Sequence, residues 1–263
     1  MILPELFLPQ TANQHWSESG LDSANNCFDP RHFTTYPWPV EYCYNSRGFR
    51  DKEWPNDLAN AVWCIGDSFT VGIGVPWLHT WPQVIEQKTK HRTVNISMDG
   101  ASNAWIARQA RLILNNIQPR LCVIQWSFLH RTENNRFKKL HHTAASADPA
   151  LNIPEWRELC EEFSQHSTVI QSVIPDAAPG INRKEAEGWW WNLRQANWPE
   201  ILPESPPNNI TVPEQFHHHW QLQSILMDCN VSLVQRKDLA RDGFHYDKQS
   251  AESFVDTISH RLL

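Results

Sequence analysis

From Ala61 onward the chain repeats one unit, a short apolar run followed by an amphipathic stretch, and that alternation restricts its fold more than any other feature. The apolar runs Ala61–Ile65, Thr93–Met98, Leu121–Trp126, Thr168–Ile174 and Val231–Val234 are of strand length. The stretches Trp77–Lys90, Asn103–Asn116, Pro154–Gln165, Pro213–Asp228 and Ser250–Leu262 read as helices between and after them. Runs apolar on both faces belong in a sheet covered on both sides, so the strands are expected to be parallel and joined by right-handed helical crossovers. The expected architecture is α/β, a three-layer α/β/α sandwich on a five-stranded parallel sheet. Any site belongs at the carboxyl edge of that sheet.

Two regions fall outside the alternation. Residues 1–60 are rich in aromatics, Pro and Asn without a clean period, and read as an extended arm packed on the core, with a hairpin around Tyr42–Phe49. Residues 61–263 then form the main domain. Within it, residues 176–212 are dense in Pro, Trp and Asn and too long for an ordinary connection, so they are expected to form a lid or a substrate wall.

The bulk numbers exclude several classes. A chain of 263 residues suits one large α/β domain. A net charge of −6 without a basic block argues against nucleic acid. No apolar stretch approaches the length of a membrane span, and Met1–Leu6 lacks the look of a secretory leader, so a cytoplasmic location is expected. The oligomeric state is not readable.

The six cysteines, Cys27, Cys43, Cys64, Cys122, Cys160 and Cys229, show no Cys-x-x-Cys spacing and read as reduced thiols, with a Cys27–Cys43 disulfide left open. His217-His218-His219 and His141-His142 invite a metal reading. Successive helical residues diverge by about 100°, so the triplet does not converge on one ion, His141-His142 reads as solvated loop, and no metal or cofactor is expected.

Chemistry concentrates at two places. Gly66-Asp67-Ser68-Phe69-Thr70 follows the first strand, so Ser68 stands at the carboxyl edge of the sheet where a helix begins. A serine hydroxyl needs a base to become a nucleophile. Asp242-Gly243-Phe244-His245 offers one: His245 to take the proton and Asp242, three residues earlier, to orient the ring. Asp67-Ser68 as a plain helix cap and Asp242 as a plain turn residue are the alternatives. The Gly-x-Ser-x-Gly elbow of lipase-type α/β-hydrolases is absent.

On these residues the chain resembles the SGNH (GDSL-type) hydrolases. Gly66–Gly72 looks like their first block, Asn95-Ile96-Ser97-Met98-Asp99-Gly100 like the second, and Asp242–His245 like the fifth. Tyr44-Asn45-Ser46-Arg47-Gly48-Phe49-Arg50 is similar to a lead-in of many members. The resemblance spans about residues 42–262 and implies a flavodoxin-like sheet and an esterase without metal or cofactor. It makes Ser68 the nucleophile, His245 the base, Asp242 its partner, and the N–H groups of Ser68 and Gly100 oxyanion donors.

The third block departs from the pattern: Trp126-Ser127-Phe128-Leu129-His130-Arg131 has no Asn at the place where the family's third oxyanion donor stands. Ser127, His130, Arg131 or Asn103 are the candidate substitutes. Arg131-Thr132-Glu133 reads as a strand-end ion pair at the active edge or as plain surface. Trp189, Trp190, Trp191 and Trp198, within the long insertion, are candidates for a wall that stacks on a sugar, or for staples onto the core. The expected substrate is a small acyl ester, such as an O-acetyl carbohydrate. A lipase or thioesterase, or a non-catalytic carbohydrate-binding or structural protein on the same fold, are the rival readings.

Overall fold

In the computed structural model, residues 3–17, 22–23, 36, 39–127, 131–134, 139–141, 149–177, 229, 231–232, 234–243 and 245–262 are described. Strands β1 (His15–Ser17) and β2 (Glu41–Cys43) form a small antiparallel pair with Trp16 opposite Tyr42. The hairpin expected around Tyr42–Phe49 is therefore not formed. Glu41–Cys43 pairs back across more than twenty residues, and Asn45–Phe49 is a turn whose Asn45 carboxamide oxygen accepts the N–H groups of Arg47 (2.9 Å) and Phe49 (3.1 Å).

The main sheet contains β3 (Val62–Gly66), β4 (Thr93–Ser97), β5 (Leu121–Trp126), β8 (Val169–Val173) and β10 (Val231–Ser232). All neighbours are parallel, and the order across the sheet is β4-β3-β5-β8-β10. Counting only these strands, that is 2-1-3-4-5, the doubly wound flavodoxin-like order. Two short pairs flank it: β6 (Thr132–Asn134) with β7 (Lys139–His141), and β9 (Asp176–Ala177) with β11 (Gln235–Arg236). His141 thus belongs to a strand rather than a loop.

Alternation along the strands feeds two cores. Trp63, Ile65, Cys122, Ile124 and Trp126 face the layer of helices α3 (Asn103–Asn116) and α4 (Pro149–Ser164), meeting Ile106, Ala110, Ile113, Cys160 and Phe163. Val62, Cys64 and Val123 face α2 (Trp81–Thr89) and α5 (Lys248–Ile258), meeting Trp81, Ile85, Phe254 and Val255. Trp81 and Phe254 meet edge to face with centroids 5.0 Å apart, an arrangement worth about 1 kcal/mol beyond the area it buries. Leu3, Leu6, Leu8 and Phe49 from the first fifty residues join the former core.

Helix boundaries follow local chemistry. Ser102 caps α3, its hydroxyl accepting the Trp105 N–H at 3.2 Å. The expected Trp77–Lys90 helix divides into a 3₁₀ turn at Trp77–His79 and α2, because Thr80 is extended and Pro82 stands in the first turn of α2. Helix α4 begins five residues before Pro154, which lies inside it. The last helix, expected over Ser250–Leu262, starts at Lys248 and tightens into a 3₁₀ turn at Ser259–Arg261. The expected helix Pro213–Asp228 lies outside the described residues. Among the described residues no helix is long and apolar enough to cross a membrane.

Candidate active site

Strand β3 ends at Gly66, and the chain turns at once into the four-residue helix α1 (Ser68–Val71). Gly66 permits the turn because a Cβ there would sit 2.0 Å from Thr70 Oγ1. Asp67 caps the helix, its Oδ1 accepting the Phe69 N–H at 3.0 Å. Ser68 is thereby set at the carboxyl edge of the sheet, at the end of the strand between β4 and β5.

Two buried groups hold the segment after Ser68. The Arg50 guanidinium donates to the carbonyls of Val71 (3.1 Å), Gly72 (2.5 Å) and Val75 (2.9 Å), and to Glu41 O (2.9 Å). It stacks on Tyr42 at 4.2 Å, and the Tyr42 hydroxyl accepts the Gly74 N–H at 2.7 Å. Arg50 is a residue whose importance the sequence signals only through its place in the Asn45–Arg50 lead-in. On the other side, Trp81 Nε1 donates to Thr70 Oγ1 (3.2 Å), Thr70 Oγ1 to Gln125 Oε1 (3.1 Å), and Gln125 Nε2 to the Tyr246 hydroxyl (3.1 Å). Burial pushes the Tyr246 phenol well above its ordinary pKa, so it stays neutral in this network. No motif announces this chain of contacts.

His245 arrives on the loop before α5. Its Nδ1 lies 2.5 Å from Asp242 Oδ2, and its N–H donates to Asp242 Oδ1 at 3.0 Å, so Asp242 grips both ring and backbone. The ring packs on Phe69, the residue after Ser68, with centroids 4.4 Å apart. The Arg241 N–H donates to Gly74 O at 3.1 Å, fastening the Asp242–His245 loop to the Ser68 segment. Ser68, Asp242 and His245 are each no more than 1% exposed. The guanidinium of Arg236 lies over the Phe69 ring, 5.5 Å from its centroid. Gly100 is buried at φ +73° in the turn after β4.

Three of the four candidates for a third oxyanion donor, Asn103, Ser127 and Arg131, have other engagements. Asn103 Oδ1 accepts the Ser127 N–H at 2.7 Å, and Asn103 Nδ2 donates to Ser127 O at 3.1 Å. Ser127 Oγ donates to Asp67 Oδ2 at 2.6 Å. Arg131 Nη1 donates to Asp67 Oδ2 and to Ser127 Oγ, the latter at 2.8 Å. Arg131 is thus buried against Asp67 rather than plain surface. His130, His142, His217, His218, His219, Trp189, Trp190, Trp191 and Trp198 lie outside the described residues, as does Cys27; Cys43 carries a free, exposed thiol. Among the described residues no group of three or more His, Cys, Asp or Glu side chains could hold a metal ion.

No family model matches the chain, and no curated protein does. Solved structures do. The GDSL-like lipase of Bacteroides thetaiotaomicron is 13% identical, with 79% of this chain and 90% of that one aligned at a TM-score of 0.45. TesA is 12% identical over 77% of this chain and 99% of its own, at 0.43. The psychrotrophic esterase EstA of a Pseudoalteromonas species is 13% identical over 77% and 98%, at 0.40. The chain is similar in fold to these structures. The identities are too low to carry residues across, so the site stands on its own geometry.

Proposed function

We propose that the chain is a serine ester hydrolase working through an acyl-enzyme on Ser68. The observation that supports this most is the Asp242–His245 contact of 2.5 Å, on a loop fastened to the serine segment at Phe69 and Gly74. In this reading Asp242 holds the His245 Nδ1–H, leaving Nε2 as the base. Ser68 Oγ attacks the ester carbonyl while His245 takes its proton, and the N–H groups of Ser68 and Gly100 hold the tetrahedral oxyanion. Collapse expels the alcohol, which leaves with the proton from His245. Water, deprotonated by His245, then attacks the acyl-enzyme, and Ser68 recovers its proton as the acid departs. The substrate class we favour is a short acyl ester, an O-acetyl carbohydrate in particular. That part rests on the tryptophan-rich insertion in the sequence.

The test is hydrolysis of p-nitrophenyl acetate by the wild type and by Ser68→Ala, with an acyl-length series alongside. Turnover that disappears with Ser68 and declines with chain length is expected. Equal rates in the two proteins would sink the reading and favour the rival, a non-catalytic carbohydrate-binding protein.

A further inference from the structure

The exit of β5 places Ser127 and Arg131 on Asp67, the residue immediately before the proposed nucleophile. The Asp67 carboxylate is fully buried and its bonds are partitioned: Oδ1 caps α1, while Oδ2 takes the Ser127 hydroxyl at 2.6 Å and the Arg131 guanidinium. Arg131 Nη1 also donates to Ser127 Oγ at 2.8 Å, closing a three-membered cluster. Ser127 is itself clasped through its backbone by the Asn103 carboxamide, at the start of α3 and three residues past Gly100. One set of side chains therefore joins the turn after β3, the turn after β4 and the exit of β5.

A buried carboxylate one residue from Ser68 works against the chemistry proposed above. Ester attack builds negative charge on the substrate oxygen, and like charges repel strongly where water is excluded. We infer that Arg131 is a positioning residue that makes Asp67 compatible with catalysis. Held by Ser127, it fixes the carboxylate as the cap of α1 and offsets its charge, so that the developing oxyanion is not opposed. Arg131 acts through Asp67 and touches no reacting atom. A guanidinium suits the task because it keeps its charge when buried and presents several donors in one plane. The inference rests on Ser68 being the nucleophile.

The experiment compares the wild type, Arg131→Met, Arg131→Lys, the double variant Asp67→Asn/Arg131→Met, and Ser68→Ala. Two readouts are used: the rate at which a fluorophosphonate labels Ser68, and kcat and KM for p-nitrophenyl acetate per labelled site. Normalising to labelled sites removes losses that come only from misfolding. Arg131→Met is expected to lower both the labelling rate and kcat about a hundredfold with KM within threefold, the scale of losing one oxyanion-stabilising group. The double variant, which removes both charges, should recover to within about tenfold of wild type. Arg131→Lys should retain a third or more of kcat.

A merely structural ion pair predicts unchanged kcat per labelled site in every variant, and that result overturns the inference. So does a double variant no faster than Arg131→Met. Should Arg131→Met fail to fold, the lysine variant decides: a loss beyond thirtyfold with charge retained rules out the charge role. A wild type that fluorophosphonate never labels at Ser68 is a different failure, that of the hydrolase reading itself, and it takes this inference with it.

Discussion

Gly74 is where the serine segment and the histidine loop touch, and Gly74→Ala should separate them measurably. The residue sits at φ +72°, in the left-handed region. A Cβ placed there would lie 3.1 Å from Asp242 N, 3.2 Å from the Ala240 Cβ and 3.3 Å from Arg241 N. Holding a non-glycine residue in that conformation costs about 1–2 kcal/mol. Two of the three neighbours are backbone, so the loop must shift by a few tenths of an ångström rather than swing a side chain aside. Taken together the loss is about 2–3 kcal/mol, a fall in Tm of roughly 4–10 °C for a domain of this size. Because the part that shifts carries Asp242 and His245, activity should fall as well. A misplacement of about 1 Å costs on the order of a hundredfold, so a few tenths should cost about tenfold in kcat.

The control for that experiment is Gly48→Ala. Its Cβ would lie 2.1 Å from Leu8 O and 2.8 Å from Thr11 Oγ1, at φ +84°, so its nearest neighbours belong to neither the serine segment nor the histidine loop. It should lose at least as much stability while keeping wild-type kcat per site labelled by fluorophosphonate. Calorimetry and kcat per labelled site, read together, test the argument. A Gly74→Ala protein with lowered Tm and full kcat would refute the claim that this contact sets the geometry of His245. So would a Gly48→Ala protein that loses kcat equally.

Three further outcomes are expected. Asp242→Asn, which keeps the shape but reverses the partner offered to His245 Nδ1, should lower kcat by about 10³–10⁴ with little change in Tm; a loss under tenfold would remove Asp242 from the mechanism. Gln125→Met, which leaves Thr70 and Tyr246 without their shared partner, should cost about 2–3 kcal/mol in urea melts, and a neutral result would show the chain of contacts to be incidental. Burial raises the Asp247 carboxyl to about 6, so between pH 4 and 6 the folded chain keeps a proton that the unfolded chain releases. Its contribution is therefore fully present only well below pH 4 and lost as pH rises through 6, a decline on the order of 3 kcal/mol. Asp51, raised to about 6 by burial, acts in the same sense, whereas His79, lowered by burial, acts oppositely. Asp247→Asn should consequently gain on the wild type between pH 4.5 and 7.5 in denaturant melts, and stability curves that stay parallel would contradict the shift.

The parallel sheet is legible because its inner strands β3 and β5 are buried on both faces, which leaves an apolar run that no surface element shows. The turn into Ser68 is legible for a similar reason: Gly66 has no room for a Cβ, and Asp67 is a good cap. That Asp242 and His245 can touch follows from a spacing of three within a turn; what they do does not follow from it. The misreadings of the arm and of Arg131 share a cause, which is distance along the chain. The partner of Glu41–Cys43 lies at His15–Ser17, and nothing local in Tyr42–Phe49 announces it. Arg131 follows a strand, where a charged residue usually meets water, and its burial is set by an aspartate 64 residues earlier. Arg50 reaches carbonyls 21–25 residues ahead, so its role appears only after the backbone has closed on it.

The Arg50 contacts carry a consequence for how such chains can be recombined. The serine turn, Tyr42 and the Arg50 guanidinium form one mechanical unit although two separate stretches of sequence encode them. A segment exchange between related proteins that moved residues 66–75 alone would leave a guanidinium facing unfamiliar carbonyls. Moving both stretches together keeps donor and acceptors matched. The natural module boundary in this protein therefore encloses residues 41–50 with the serine, instead of falling at the start of the first sheet strand.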